Sequence, residues 1–506
     1  LNPPVHIAID IGASGGRLLA GSFSETGIVV DEVHRFANGP IRLGQRLQWN
    51  VAAIWQSILD GLSEARSRYG ADGIASVGVD TWGVDFALID RLGDIVGPVV
   101  SHRDERTEGI FEYAFEKLPK ETIFAETGMQ FLPFNSALQL LAMRREGSPL
   151  LDVAEHLLMM PDLFHWLLSG EISNEQTNAS TTQALRPLDG KWSEKILTAF
   201  DIPGSILSQP QRPGTTIGQL QSSVQRATAL RGINVVLPPS HDTASAVLAV
   251  PATRFNEAKP DWCYISCGTW SLMGVELAES VLTAECLALN LSNEGGVDGG
   301  TRLLKNISGL WPIQQCFAKW QTEQPDLNWE SVVEQANAVD AFSHQFDPDH
   351  PYFATPGDMP KKIGRYMQLA GQSADLDLGT IARTAFECLA MAYRHCLGEL
   401  EALLGQTMQT VHIVGGGCRN AFLCQQTADI CNRVVIAGPA EGTAMGNLMM
   451  QSIASGELSS VLEGRQLISR SSEIVTYTPQ TGSRAEIDAA YQRYCLLRQR
   501  RDSLTF

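Results

Sequence analysis

HIAIDIGASGGRLLAGSF, from His6 to Phe23, is the stretch that decides the fold. Apolar residues run from His6 to Ile11, break at a glycine-rich turn from Gly12 to Gly16, and resume from Arg17 to Phe23, which predicts two strands joined as a β-hairpin. Such a turn aims several backbone N–H groups the same way. With Ser14 and Arg17 beside them it is suited to cradle a terminal phosphate, and Asp10 at its rim is placed to hold magnesium through water. A tight hairpin whose glycines only satisfy positive φ is the equal alternative on these residues alone.

Outward from the hairpin, a third strand is predicted near Ile28 to Phe36 and an amphipathic helix over Val51 to Tyr69. Next comes IASVGVDTWGVDFALID, read as a buried strand Ile74 to Asp80, a turn at Thr81-Trp82-Gly83 and a strand Val84 to Ile89. Ligands of open α/β sheets sit outside strand ends, so Trp82 and Gly83 can offer a polyol an apolar wall and a close backbone approach. A packed Trp beside a turn glycine competes with that reading. SHRDERTEG, with Arg103, Asp104 and Arg106, reads as solvated surface. QFLPFNSALQLLAMRRE, LLMMPDLFHWLLSGE and TNASTTQAL read as lid or capping material grafted onto the first core.

VVLPPSHDTASAVLAV, Val235 to Val250, is a strand stopped by Pro238-Pro239 and followed by an apolar helix from Thr243. Asp242 then sits where a helix begins, and the helix end is expected to keep its carboxylate ionised and directed, as a general base requires. The competing reading makes Ser240 or Asp242 a plain helix cap. Pro251 to Pro260 is the candidate crossing between two domains, 1–250 and 251–506.

Beyond the crossing the opening pattern returns. WCYISCGTWSLMGVEL is again strand, turn and strand with Gly268 and Thr269 at the apex, which suggests a phosphate-facing turn in each half, on opposite walls of one cleft. Lys305, Asn306 and Gln314 are polar groups among apolar neighbours, and Pro348 to Asp377 reads as an irregular excursion. A long helix over Leu378 to Leu404 leads into VHIVGGGCRNAFLCQQTADI, where Gly415 to Gly417 let a nucleotide lie against bare backbone at a strand end.

The chain has 506 residues, 44% hydrophobic and 19% charged, enough for two or three folded domains. A net charge of −18 argues against a nucleic-acid partner or an anionic membrane surface. With no apolar run of transmembrane length and no basic-then-apolar leader, a cytoplasmic protein is expected. All ten cysteines lie from Cys263 onward without metal-ligand spacing, and are read as buried free thiols.

There is no GxxxxGK[ST] run, no well-placed GxGxxG and no protein-kinase signature. In DIGASGGR, DTWGVDF, RDERT, QFLPFNS, TNASTTQ, SHDTAS, SCGTWSLMG, KNISGLW, VGGGCRN and GPAEGTAMGN, taken in order over nearly the whole chain, the sequence resembles the FGGY carbohydrate kinases of the actin/hexokinase/Hsp70 superfold. The resemblance implies an α/β protein of two ribonuclease-H-like domains with a cleft between them, the first carrying sugar and base, the second the nucleotide. It implies ATP and Mg2+ as cofactors, a ketose substrate and a monomer or homodimer. The implied reaction is phosphorylation of L-rhamnulose at its 1-hydroxyl, with L-fuculose, L-xylulose or glycerol as alternatives and a non-catalytic sensor as the rival of another class. By position, it makes Asp242 the base, has Gly83, His241, Thr243 and Asn306 hold the sugar, and has Ala13, Ser14, Gly15, Gly16, Arg17, Thr269, Gln314 and Gly416 bind ATP. Cys267 stands where the family commonly has serine.

Overall fold

The structure, a computed structural model, describes residues 4–373, 376–480, 484–501 and 504. Two compact units emerge from it. The first takes residues 1–258, 276–304 and 441–472, and the second 259–275, 305–440 and 473–506.

In the first unit, β1 (Val5–Gly12), β2 (Gly15–Ser24) and β3 (Gly27–Ala37) form the expected meander. After α1 (Val51–Tyr69) the chain returns as β4 (Ile74–Thr81), and later as β5 (Thr216–Gln219) and β6 (Asn234–Val236), giving a six-stranded sheet in the order β3-β2-β1-β4-β6-β5. Strand β4 pairs in parallel with both β1 and β6. Side chains alternate across a strand, so Ile7, Ile9 and Ile11 of β1 and Val77 and Val79 of β4 share one face. That face packs on Ile54, Ile58 and Leu62 of α1 and on Leu163 and Phe164 of helix Met160–Ser169. Each such buried aliphatic side chain contributes about 1.5–3 kcal/mol.

The opposite face of β1 and β4 carries His6, Ala8, Asp10 and Ser76, Gly78, Asp80. It is covered by the helices Asp242–Leu248 and Gly442–Ala454, with Val461–Ser471 packed beside them on β3, and their Leu248, Leu448, Met449 and Ile468 join Ala8 and Leu19 in a second core. Polar groups on this face are bonded to one another. His6 Nδ1 lies 2.7 Å from Ser76 Oγ, Ser76 Oγ donates to Gln451, and Gln451 donates to Asn447 and to the Ile7 carbonyl. Burial without such partners would cost about 1–3 kcal/mol for each group.

The second unit repeats the first unit's pattern. Strand Trp262–Cys267 forms a hairpin with Ser271–Leu277 and pairs in parallel with Thr410–Val414, which continues to Val434–Ala437 and the antiparallel Val475–Tyr477. The helix Leu378–Leu404 has the predicted bounds. Pro348 to Asp377 is more regular than its composition implies: Met359–Leu369 is a helix with Pro360 in its first turn, where a missing N–H costs nothing. Ala374 and Asp375 of that stretch lie outside the described residues. Eight of the ten cysteines are buried, and all ten are free thiols. No described helix is long and apolar enough to cross a membrane.

Candidate active site

Register brings three carboxylates of the first unit together. Asp10 is the cross-strand partner of Asp80 in the parallel β1–β4 pair, and both point to the face on which helix Asp242–Leu248 begins. The approach to Asp242 is held tightly. Glu175, itself buried, accepts from Ser240 N (2.9 Å) and Ser240 Oγ (2.7 Å), Thr81 N donates to the Ser240 carbonyl, and His241 N donates to Thr177 Oγ1. The helix cap is His241, not Ser240 or Asp242.

Asp242 Oδ1 accepts from Thr243 N (2.6 Å) and Thr243 Oγ1 (3.2 Å), while the side chain keeps 31% of its surface open. This fixes the direction of the carboxylate. It does not hold the pKa down as expected: burial outweighs the helix-end donors and the nearby His241, and raises it above the ordinary carboxylate range. Asp10 is raised by burial too, with Arg17 opposing and the charges of Asp242 and Glu441 adding. Asp80, fully enclosed, is raised furthest, by burial and then by Asp10. Asn447 Nδ2 donates to its Oδ2 at 2.6 Å, and its Oδ1 is buried without a partner.

Arg17 stands opposite Asp10 across the hairpin, its guanidinium bridging Asp10 (2.9 Å) and Glu441 (2.5 Å). The turn itself is two residues, Ala13-Ser14, between the paired Gly12 and Gly15. Gly15 and Gly16 are not at positive φ. Gly16 is required because a Cβ there would stand 2.2 Å from the Phe36 ring.

Gly83 follows the end of β4, and a Cβ there would meet Thr181 Oγ1 at 2.8 Å, so the TNASTTQ segment packs directly on this backbone. Val84, next along, is held at φ 66, with Ser136 and Gln139 donating to its carbonyl. Strain in a β-branched residue at such a point is typical of binding sites. Trp82 takes the packed alternative: its ring lies 4.1 Å from that of Trp49, and both indole N–H groups donate to buried Asp85, which His102 Nδ1 also meets at 2.8 Å. Two of the four RDERT charges are not solvated either, while Arg103 and Glu105 are exposed. Asp104 and Arg106 are buried, Asp104 accepting from Leu47 N and Arg106 donating to Gln139, and burial lowers the Arg106 pKa to about 10.

In the second unit, Thr269, Gln314 and Gly416 gather at one hairpin. Trp311 N donates to the Thr269 carbonyl, Leu310 N to that of Gly268, and Gln314 lies in the first turn of the helix that follows, Trp311–Glu323. Gly417 packs on the same hairpin, since a Cβ there would stand 2.2 Å from Cys267 Sγ, while a Cβ on Gly416 would meet nothing within 4 Å. A glycine beside open space at a strand end leaves backbone accessible to a ligand. Asn306 also belongs to this unit, next to Lys305, which pairs with Glu399 at 2.5 Å.

Comparison with known proteins identifies this arrangement. Residues 5–249 match the N-terminal domain of the FGGY family of carbohydrate kinases, and residues 263–455 match its C-terminal domain. The chain belongs to the FGGY carbohydrate kinases. It is similar to the rhamnulokinase of Bacteroides thetaiotaomicron, 40% identical over 96% of this chain and 97% of that one, and to the rhamnulokinase of Halalkalibacterium halodurans, 37% identical over 93% and 98%. Among solved structures it is similar in fold to the gluconate kinase of Lactobacillus acidophilus (TM-score 0.81, 14% identity, 99% of each chain) and to Plasmodium falciparum glycerol kinase with ADP (0.75, 16%, 98% of each). As an FGGY kinase the chain is an ATP-dependent sugar kinase with the actin/hexokinase-like fold.

Sequence reasoning passed over Asp80, Glu175, Glu294 and Arg302 in this FGGY kinase. Asp80 was visible only as the last residue of a buried strand, and its significance depends on the β1–β4 pairing. Its raised pKa has a stability consequence. A carboxyl group that binds its proton more tightly when folded costs stability above its folded pKa, and the cost disappears below the unfolded value. Asp80→Asn keeps an oxygen for Asn447 and removes the buried ionisable group, so it is expected to stabilise the protein by about 1 kcal/mol at neutral pH. Melting temperatures of both proteins across pH check this. The gap should narrow as pH falls below the folded pKa of Asp80 and vanish below its unfolded value.

Proposed function

We propose that the protein transfers the γ-phosphoryl group of ATP to the 1-hydroxyl of L-rhamnulose, with Asp242 as general base. One observation carries the mechanism: Asp242 has one oxygen committed to Thr243 and a partly open side chain on a rigid helix start. Its free oxygen is available to a substrate hydroxyl. The choice of L-rhamnulose rests on the rhamnulokinases matched over nearly full length.

In this reading Gly83, His241, Thr243 and Asn306 hold the ketose, and Ala13 to Arg17, Thr269, Gln314 and Gly416 bind ATP. The 1–250 domain supplies the base, most of the sugar contacts and the first phosphate turn, and the 251–506 domain supplies the remaining nucleotide contacts and Asn306. Asp242 takes the hydroxyl proton as the phosphorus–oxygen bond forms in line, and the bond to ADP breaks. Because charge spreads over a loose transition state, catalysis depends on placement, on turn N–H groups and on Arg17.

The residues present fit a magnesium ion held through water. Asp80 Oδ1 is a buried oxygen without a partner, Asp10 neighbours it across the strand pair, and no group of three or more His, Cys, Asp or Glu among the described residues can hold a metal directly. Asp10 and Asp80 would hold the ion, which neutralises phosphate charge when bound.

A panel of L-rhamnulose, L-fuculose, L-xylulose and glycerol, with ADP release coupled to a spectrophotometric signal, tests the substrate. L-rhamnulose is expected to give a kcat/KM at least about 10-fold above the others, the scale on which a few sugar contacts discriminate. A higher value for another acceptor would replace it.

A further inference from the structure

Two arginines of the first unit are fully buried, and they differ in how they are bonded. Arg465 is structural: it donates to the carbonyls of Leu248, Val247 and Arg254 and to Glu276 Oε2 at 2.7 Å. Arg302, 1% exposed, has one backbone acceptor, the Gly295 carbonyl at 3.0 Å, and its Nη1 is buried with no partner. Its Nη2 is directed at His241 Nδ1, 3.2 Å away. Glu294, on the paired strand as the register partner of Arg302, lies 3.1 Å from Nη2 and 3.2 Å from His241 Nδ1. Its Oε2 accepts no hydrogen bond of good geometry. Burying a charged pair is costly and adds little stability, so this poorly satisfied pair is not accounted for by folding.

We propose that Arg302, charge-balanced by Glu294, is a positioning residue that fixes His241 as the tautomer carrying its proton on Nε2. A guanidinium has no lone pair to offer, so a bond from Arg302 to Nδ1 requires Nδ1 to be the acceptor. The ring proton then sits on Nε2, 3.5 Å from Asp242 Oδ1, too far for a hydrogen bond between them. Nε2–H is left to donate to the ketose oxygen beside the reacting hydroxyl while Asp242 accepts that hydroxyl's proton. In the other tautomer, ring and carboxylate would both be acceptors competing for one O–H. The inference rests on the reading of Asp242 as the base.

The test combines Arg302→Met with Glu294→Gln, which removes both charges and leaves neither buried alone. With L-rhamnulose and ATP, kcat/KM for the ketose is expected to fall about 30-fold. KM for ATP should stay within about twofold. In the His241→Gln background the same pair of changes should cost little, because Arg302 acts through His241. Nitrogen-15 spectra of labelled histidine, with the His241 signal identified by its loss in His241→Gln, should show a protonated Nε2 in the parent protein and a tautomer mixture in the combined variant. Unchanged ketose kinetics, a full additive loss in the His241→Gln background, or a parent Nδ1–H signal would each overturn the assignment. The spectra read the tautomer whatever Asp242 does. Asp242→Asn assayed alongside separates the two ideas: an active Asp242→Asn removes the base, whereas an inactive one beside an unaffected charge-pair variant removes only the role of Arg302.

Discussion

Asp242→Asn is expected to lower ketose phosphorylation by about 100-fold or more, the usual contribution of a positioned general base. ATP binding should persist, since Thr269, Gln314 and Gly416 belong to the other unit and the Ala13-Ser14 turn does not depend on this side chain. The amide has nearly the carboxylate's shape, and its oxygen can still accept from Thr243 N and Oγ1, so the helix start should keep its geometry. What is lost is the basic oxygen. Coupled measurement of turnover, with nucleotide affinity determined by titration, checks both halves. Sugar phosphorylation at the parental rate would remove Asp242 from the chemistry.

The second large effect is on folding. Helix Gly442–Ala454 crosses the helix that starts at Asp242, and a Cβ on Gly446 would stand 1.9 Å from the Ser245 carbonyl oxygen. Backbone cannot move aside as a flexible side chain can, so Gly446→Ala must push the two helices apart. Overpacking of this kind costs about 3 kcal/mol, the upper part of the usual range. A fall of several degrees in melting temperature is expected, with loss of activity because Ser245 lies on the same helix as Asp242. Parental stability would mean that the helices are more loosely packed than described.

Both effects bear on how much of the protein could be read from residues alone. The two hairpins, α1 and the helix Leu378–Leu404 were legible because each follows one clear period and ends at glycine, proline or a capping side chain. Met359–Leu369 was not, because Pro360 and the surrounding glycines and charges look like a loop unless the proline is known to occupy a first turn. Asp104 and Arg106 looked solvated because a charge cluster carries no sign of the Leu47 amide or the Gln139 side chain that will meet it.

At the site, Asp242 was legible from a strand, a double proline and a helix start. Its raised pKa was not, since that depends on how much protein surrounds it, and neither was the meeting of Asp10 with Asp80. Those two meet only through the parallel register of β1 and β4, strands separated by β2, β3 and α1 in sequence. Glu294 and Arg302 are harder still. They fall in the part of the chain that matches the C-terminal family domain, yet they pack in the first unit on His241.

The most direct measurement is the pH dependence of the phosphoryl-transfer step in single turnovers, for the parent enzyme and Asp242→Asn. Because burial raises the Asp242 pKa, the base gains its charge only above the ordinary carboxylate range, and the parent rate should climb with pH through that value and then level off. Asp242→Asn should be slow throughout and show no such rise. The same acid limb in both proteins would place the ionisation on another group and contradict the assignment of Asp242 as the base.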